Sequence, residues 1–209
     1  MQIVLYSFRR CPYAMRARMA LRVSQIDYEH REIELKAKPS HLLDISPKGT
    51  VPVIWIRDGE QEEVIDQSLE IMKWSLKRSD PEMWLSKDPQ LNDAMMGLIE
   101  QNDQTFKFNL DRYKYPHRFG LDDPLPFRAA GELFLQELNS KLLVNRFLFG
   151  SRLSIADAAL MPFVRQFSRV EPQWFEGLEL AALKSWLEGL EGSDLFVSIM
   201  ARHELWGKG

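Results

Sequence analysis

The chain has 209 residues, enough for one large domain or two modest ones sharing an interface. A net charge of −3 with 45% hydrophobic residues fits an ordinary buried core and argues against a dedicated nucleic-acid binder, which would carry a basic field. No apolar run approaches the ~20 residues of a membrane span, and a single cysteine excludes an internal disulfide.

The opening Met1-Gln2-Ile3-Val4-Leu5-Tyr6-Ser7 is too short and polar-flanked for a signal peptide and reads as a first strand, so a reducing cytoplasm is the expected compartment. From Pro12 to about Gln25 the pattern is helical: Met15, Met19 and Val23 share a face, and Arg16, Arg18 and Arg22 are expected on the surface. Tyr28 to Leu35 alternates, with Ile33 and Leu35 on one face and Glu32 and Glu34 on the other, which predicts a second strand and completes a β-α-β unit. A short helix is expected at Pro39 to Asp44. Strands follow at Val53–Ile56 and Glu63–Ile65, with a turn at Arg57-Asp58-Gly59-Glu60. A helix then runs from about Gln67 to Lys77.

Breakers at Arg78-Ser79-Asp80-Pro81 and Asp88-Pro89 mark an inter-domain linker. Beyond it only helical periods recur. Leu91, Met95, Leu98, Ile99, Asn102, Phe106 and Leu110 lie on one stripe, and further helices are expected around Leu133–Leu142, Ile155–Phe167, Leu180–Leu187 and Leu195–His203. The organisation is an α/β domain over 1–77, a linker over 78–89 and an all-helical domain over 90–209.

Three features of the α/β part carry chemistry. Cys11 stands between the first strand and first helix, followed by Pro12 at a position where a missing N–H costs nothing. There the positive end of the helix dipole favours thiolate, and cysteines so placed have pKa values lowered to about 3.5–7.5. Arg9, Arg10 and Arg16 would add positive potential if turned that way. Next, Pro47-Lys48-Gly49 and Thr50-Val51-Pro52 precede the third strand. A cis Val51–Pro52 bond would expose the Val51 backbone to an extended peptide ligand, whereas a trans proline would merely open an edge strand. Finally, Asp66-Gln67-Ser68 begins a helix, where Gln67 or Ser68 could cap the N–H groups or receive a carboxylate. Each feature alone also has a purely structural explanation.

Together, Cys11-Pro12-Tyr13, Val51-Pro52 and Gln67-Ser68 resemble the thioredoxin-like domain of glutathione transferases. In the helical part, Gly150-Ser151-Arg152-Leu153-Ser154-Ile155-Ala156-Asp157 resembles that superfamily's buried capping motif, in which Ser154 caps the helix and Asp157 reaches back to the Ser154 N–H. The resemblance covers nearly the whole chain and implies the glutathione transferase fold: an α/β thioredoxin-like N-terminal domain plus an all-α C-terminal domain.

Cysteine-type members, the omega class and two-domain glutaredoxins, resemble this chain most. The resemblance implies that Cys11 forms a mixed disulfide with glutathione, a co-substrate. It further implies that Val51, next to Pro52, binds the cysteinyl backbone, and that Ser68 with Gln67 holds the γ-glutamyl group. Omega-type members usually carry Glu where Gln67 stands. Lys38, Lys48 and His41 are candidates for the glycyl carboxylate, with Lys38 preferred. Ala14 stands where dithiol glutaredoxins have a second cysteine, which leaves a monothiol route.

The implied partners are glutathione and a small-molecule or glutathionylated substrate, without nucleic acid, membrane or metal, in a homodimer. His117 lacks a second ligand at useful spacing for a metal site. Phe106 is expected in the core, and Tyr113 to Phe119 could rim a pocket for the second substrate. Alternative readings are a conjugating transferase for electrophiles, a non-catalytic scaffold of the same fold (as in RNA-polymerase-associated stringent starvation proteins) and a chloride intracellular channel protein. Retention of Cys11-Pro12 with Gln67-Ser68 argues against the scaffold, and arginines in the first helix argue against the channel.

Overall fold

The computed structural model describes residues 1–207. They form two compact units, Met1–Glu82 joined by the residues from Ser193 onward, and Met83–Gly192. The first unit holds a four-stranded sheet in the order β2-β1-β3-β4. β1 (Gln2–Ser7) pairs parallel with β2 (Glu29–Glu32) and antiparallel with β3 (Val53–Asp58), which pairs antiparallel with β4 (Gln61–Ile65).

Because successive side chains of a strand point to opposite faces, β1 serves two cores. Ile3 and Leu5 pack with Ile54, Ile56, Ala17, Leu21, Ile71 and Trp74, under α1 (Pro12–Val23) and α3 (Ser68–Arg78). Val4 and Tyr6 face the other way, with Ile33, Leu42, Val51, Val53 and Trp55, against α2 (Ser40–Ile45). Burial on both faces is why the first strand reads as a continuous apolar run.

Three expectations change here. β2 is shorter than the alternation over 28–35 suggests, since the chain turns back after Ile33, with Ala37 N–H donating to Glu34 O at 3.1 Å. Leu35 is exposed and Glu32 buried, because the Glu32 carboxylate accepts the Arg9 backbone N–H at 2.6 Å. Arg16 and Arg18 are not surface residues: they are 2% and 1% exposed, each with oxygen acceptors inside the unit.

The C-terminal segment, read from sequence as part of the helical domain, groups with the sheet unit instead. Its helix α10 (Asp194–Ile199) packs on α1, and beyond it Leu205 bridges to Glu32 while Trp206 N–H donates to Glu32 O at 2.9 Å. The tail thereby covers the otherwise open edge of β2, which needs backbone partners that a helical domain does not supply.

The second unit is helical. α4 (Pro89–Gln101) runs through a π-helical turn at Asn102–Phe106 into α5 (Lys107–Lys114), where the sequence period suggested one uninterrupted helix. α6 (Leu125–Val144), α7 (Ile155–Ser168), α8 (Pro172–Gly177) and α9 (Ala181–Glu191) complete it. Phe106 lies in its core, with ring centroids 4.8 Å from Phe134 and 5.1 Å from Phe167. α7 starts on a full capping box, with Asp157 Oδ2 accepting the Ser154 N–H at 2.9 Å and its hydroxyl at 2.6 Å. Oδ1 accepts the Leu148 N–H and the Trp186 indole N–H, both at 2.9 Å. Burial pushes the Asp157 carboxyl pKa up, against the lowering effect of these four donors.

α6 approaches α7 closely at Gly131, where a Cβ would collide with the Phe167 ring, whereas a Cβ at Gly97 on the exposed side of α4 meets nothing. Gly131→Ala is therefore expected to lower unfolding stability by about 1–3 kcal/mol through overpacking. Gly97→Ala is expected to raise it by about 0.5–1 kcal/mol through helix propensity. Denaturant midpoints of the two variants check the opposite signs.

Candidate active site

β1 delivers the chain to Cys11, the N-cap of α1, with extended backbone at φ −74°, ψ 121° and Pro12 in the first turn. The turn before it is closed by the Cys11 N–H, which donates to Phe8 O at 3.0 Å, and α1 opens with Met15 N–H donating to Cys11 O at 2.9 Å. The half-buried sulfur packs beside the Val51–Val53 cluster, and its Sγ lies 3.5 Å from Val51 O, to which the thiol donates. The Val51–Pro52 peptide bond is cis. Cys11 and Val51, far apart in sequence, are thus in contact.

Gln67 and Ser68 start α3. Gln67 is the N-cap, but its side chain makes no capping bond, so the capping expected of this pair is not made by the Gln67 side chain. Ser68 is buried, and its hydroxyl accepts from Arg16 Nε at 2.9 Å. α1 thereby links the cysteine end of the site to the start of α3.

The three basic candidates differ. Lys48 Nζ pairs with Asp66 Oδ2 at 2.9 Å, and His41 Nδ1 shares a hydrogen bond with the Tyr6 hydroxyl at 2.6 Å. Lys38 has no salt bridge among the described residues, and its ammonium lies against Gly49, where a Cβ would meet Nζ at 3.2 Å.

Of the charges expected near the sulfur, Arg10 lies over the Phe8 ring, 5.6 Å from its centroid, and Arg16 is engaged with Ser68. Arg18, which the sequence reading put on the surface, is a buried guanidinium whose charge couples electrostatically to Cys11. Burial pushes its pKa down, while Glu32, Tyr28 and Cys11 push it up. The signal in the sequence was three arginines in one short apolar helix, too many for its narrow solvent face.

The aromatic segment after α5 divides. Tyr113 is not a rim residue: it is 2% exposed, 5.0 Å from the Phe167 ring, and burial and then Glu171 push its phenol up to about 12. Phe108 and Phe119 are exposed, and the Arg112 guanidinium lies over both rings, 3.3 Å and 4.5 Å from their centroids. Among the described residues no helix is long and apolar enough to cross a membrane, and no group of three or more His, Cys, Asp or Glu residues could hold a metal ion.

Residues 10–77 match the family model of the glutathione S-transferase N-terminal domain. Mouse glutathione S-transferase omega-1 is 34% identical over 95% of this chain and 76% of its own length. A probable maleylacetoacetate isomerase of Caenorhabditis elegans is 36% identical over 79% of each chain. A glutathione transferase of Pseudomonas putida, crystallised with one glutathione disulfide per subunit, superposes with a TM-score of 0.84 at 16% identity, covering 97% of this chain and 92% of that one. In two other curated relatives the matched region spans 66% and 50% of the relative's length. The chain belongs to the glutathione S-transferase family and is similar to its omega class.

The turn that presents Val51 depends on Gly49, at φ +59°, where an added Cβ would also meet Leu43 Cδ2 at 3.0 Å. Gly49→Ala should cost about 1–2 kcal/mol from the left-handed conformation alone. Chemical denaturation of the variant measures it, and an unchanged midpoint would show that the turn tolerates a side chain.

Proposed function

We propose that this chain is a glutathione-dependent thiol transferase that works through one cysteine. The observation that carries the reading is Cys11 at the N-cap of α1, its Sγ 3.5 Å from the Val51 carbonyl. An extended glutathione backbone lying along Val51 brings its cysteinyl sulfur to Cys11, where a thiolate is favoured by the helix dipole. Ser68 uses a lone pair on Arg16, which leaves its hydroxyl hydrogen for the γ-glutamyl carboxylate, and Gln67 lies beside it. Lys38 is preferred for the glycyl carboxylate, because Lys48 is neutralised by Asp66 and His41 is engaged by Tyr6.

The chemistry runs in two exchanges. The Cys11 thiolate attacks the glutathione sulfur of a mixed disulfide; a Cys11–glutathione disulfide forms, the original S–S bond breaks, and the substrate thiolate leaves and takes a proton. A second glutathione thiolate then attacks the glutathione sulfur held on Cys11, releasing oxidised glutathione and restoring the Cys11 thiolate. The net change is one substrate disulfide reduced and two glutathione molecules joined. Ala14, fully buried in α1, provides no resolving thiol, so the second exchange needs free glutathione. A small disulfide enters the same cycle once exchange with glutathione has made it a mixed disulfide. Dehydroascorbate, which has no S–S bond, would instead take two electrons and two protons from two glutathione molecules, which leave as one oxidised glutathione. Action as a cytoplasmic homodimer is part of this reading and is supported by the family alone.

Cys11→Ser should abolish deglutathionylation of a mixed-disulfide substrate, and unchanged turnover sinks the proposal. Iodoacetamide should alkylate wild-type Cys11 rapidly well below the free-cysteine pKa of about 8.5. Labelling that rises only around that pH marks an inert thiol. Ser68→Ala should raise KM for glutathione roughly tenfold, the loss of about one hydrogen bond to a charged group; an unchanged KM removes Ser68 from the binding site.

A further inference from the structure

Behind the candidate nucleophile, two buried side chains of opposite charge hold the same stretch of backbone. Arg18, one turn and a half along α1 from Pro12, is 1% exposed. Its Nη1 donates to Ser7 Oγ at 2.6 Å and to Phe8 O at 3.4 Å, and its Nη2 to Arg9 O at 2.8 Å. Glu32, 6% exposed on β2, accepts the Arg9 N–H through Oε1 at 2.6 Å, while Oε2 pairs with His30 Nε2 at 3.0 Å. The Arg9 peptide groups are therefore held on both sides, N–H by a carboxylate and C=O by a guanidinium. Phe8 O, which accepts from Arg18, also accepts the Cys11 N–H at 3.0 Å.

This is costly chemistry for a loop that needs only stability. A charge taken out of water loses much of its hydration, and Arg18 Nε finds no hydrogen-bond partner among the described residues. An apolar residue on that face of α1 would pack without either penalty. Glu32, Tyr28, Arg9 and the Cys11 sulfur act on Arg18. On the side of the C-terminal tail, Met200 Sδ lies 3.8 Å from Nη2, and His203, stacked on His30 with ring centroids 3.8 Å apart, feels the Arg18 and Glu32 charges. Glu32 in turn is answered by His30, the Arg9 N–H and Arg18, which together outweigh its burial and hold its carboxyl below the usual carboxylate range.

We propose that Arg18 and Glu32 are positioning residues that clasp the Ser7–Cys11 segment from behind, with Arg18 supplying the positive charge that favours the Cys11 thiolate and Glu32 moderating it. The clasp also reaches the C-terminal tail, because the backbone of Glu32 pairs with Leu205 and Trp206 while its carboxylate holds Arg9. The inference rests on the reading of Cys11 as a reactive thiol.

The test is the pH profile of Cys11 alkylation by iodoacetamide in the full chain, with thiolate absorbance as a second readout. Arg18→Met should move the midpoint upward by about one pH unit, and Glu32→Gln, which keeps an oxygen acceptor for Arg9 but loses the charge, should move it downward by a few tenths. Loosening of the loop without an electrostatic role would leave both midpoints in place or move them in the same direction, and either result overturns the clasp. If Arg18→Met does not fold, Glu32→Gln decides alone, and the absence of a downward displacement overturns the proposal. A wild-type protein alkylated only near the free-cysteine pKa defeats the thiol-transferase reading and takes the clasp with it; fast wild-type labelling with unmoved variants defeats the clasp alone.

Discussion

A guanidinium buried in a helix must find oxygen atoms, and α1 buries two. Arg16 finds the Ser68 hydroxyl at the start of α3, and Arg18 finds Ser7 Oγ and the Phe8 and Arg9 carbonyls ahead of the helix. Neither charge can be left unanswered without the full cost of desolvation, so the loop bearing Cys11 and the start of α3 are tied to one rigid helix. The same twelve residues that follow Cys11 also brace the surfaces around it.

The sheet supplies the rest of the frame. β1 is buried on both faces and pairs on both edges, so Ser7 and the turn after it start from a fixed place. β3 enters the sheet directly after Val51, and its antiparallel register with β1 sets Tyr6 opposite Val53. That register is what carries the Val51 carbonyl to the Cys11 sulfur. On the far edge, the tail caps β2 with backbone hydrogen bonds and with Trp206 under the Arg31 guanidinium, 4.2 Å from the ring centroid. The helical unit solves its own version of the same problem at Asp157, whose two oxygens satisfy four donors in a fully buried position. In both units a buried polar side chain fixes the start of a helix, and in both backbone groups are among its partners.

Much of this was legible from local rules. Strand and helix order, Pro12 after Cys11, the break near residue 80 and the Ser154–Asp157 box all follow from periodicity, turn chemistry and capping, which act over a few residues. Those signals failed where the partner was distant. Glu32 looked like the solvent side of an alternating strand and proved buried, because its acceptor role is toward Arg9. Tyr113 looked like a rim aromatic among charged neighbours, yet it is packed against Phe167. The π-helical turn at Asn102–Phe106 left the apolar stripe readable but moved its register, which a fixed period cannot express.

By itself, the sequence determined the identity and local setting of Cys11, the α/β-then-helical order and the absence of a second thiol at Ala14, since each depends only on neighbouring residues. Tertiary structure alone decided which charges stand behind that sulfur, that Lys48 is ion-paired while Lys38 has no salt bridge among the described residues, and that the C-terminal segment returns to the edge of β2. Those outcomes depend on which atoms meet across dozens of residues, where burial turns an ordinary arginine or glutamate into one that must be paired, and no pattern along the chain records the pairing.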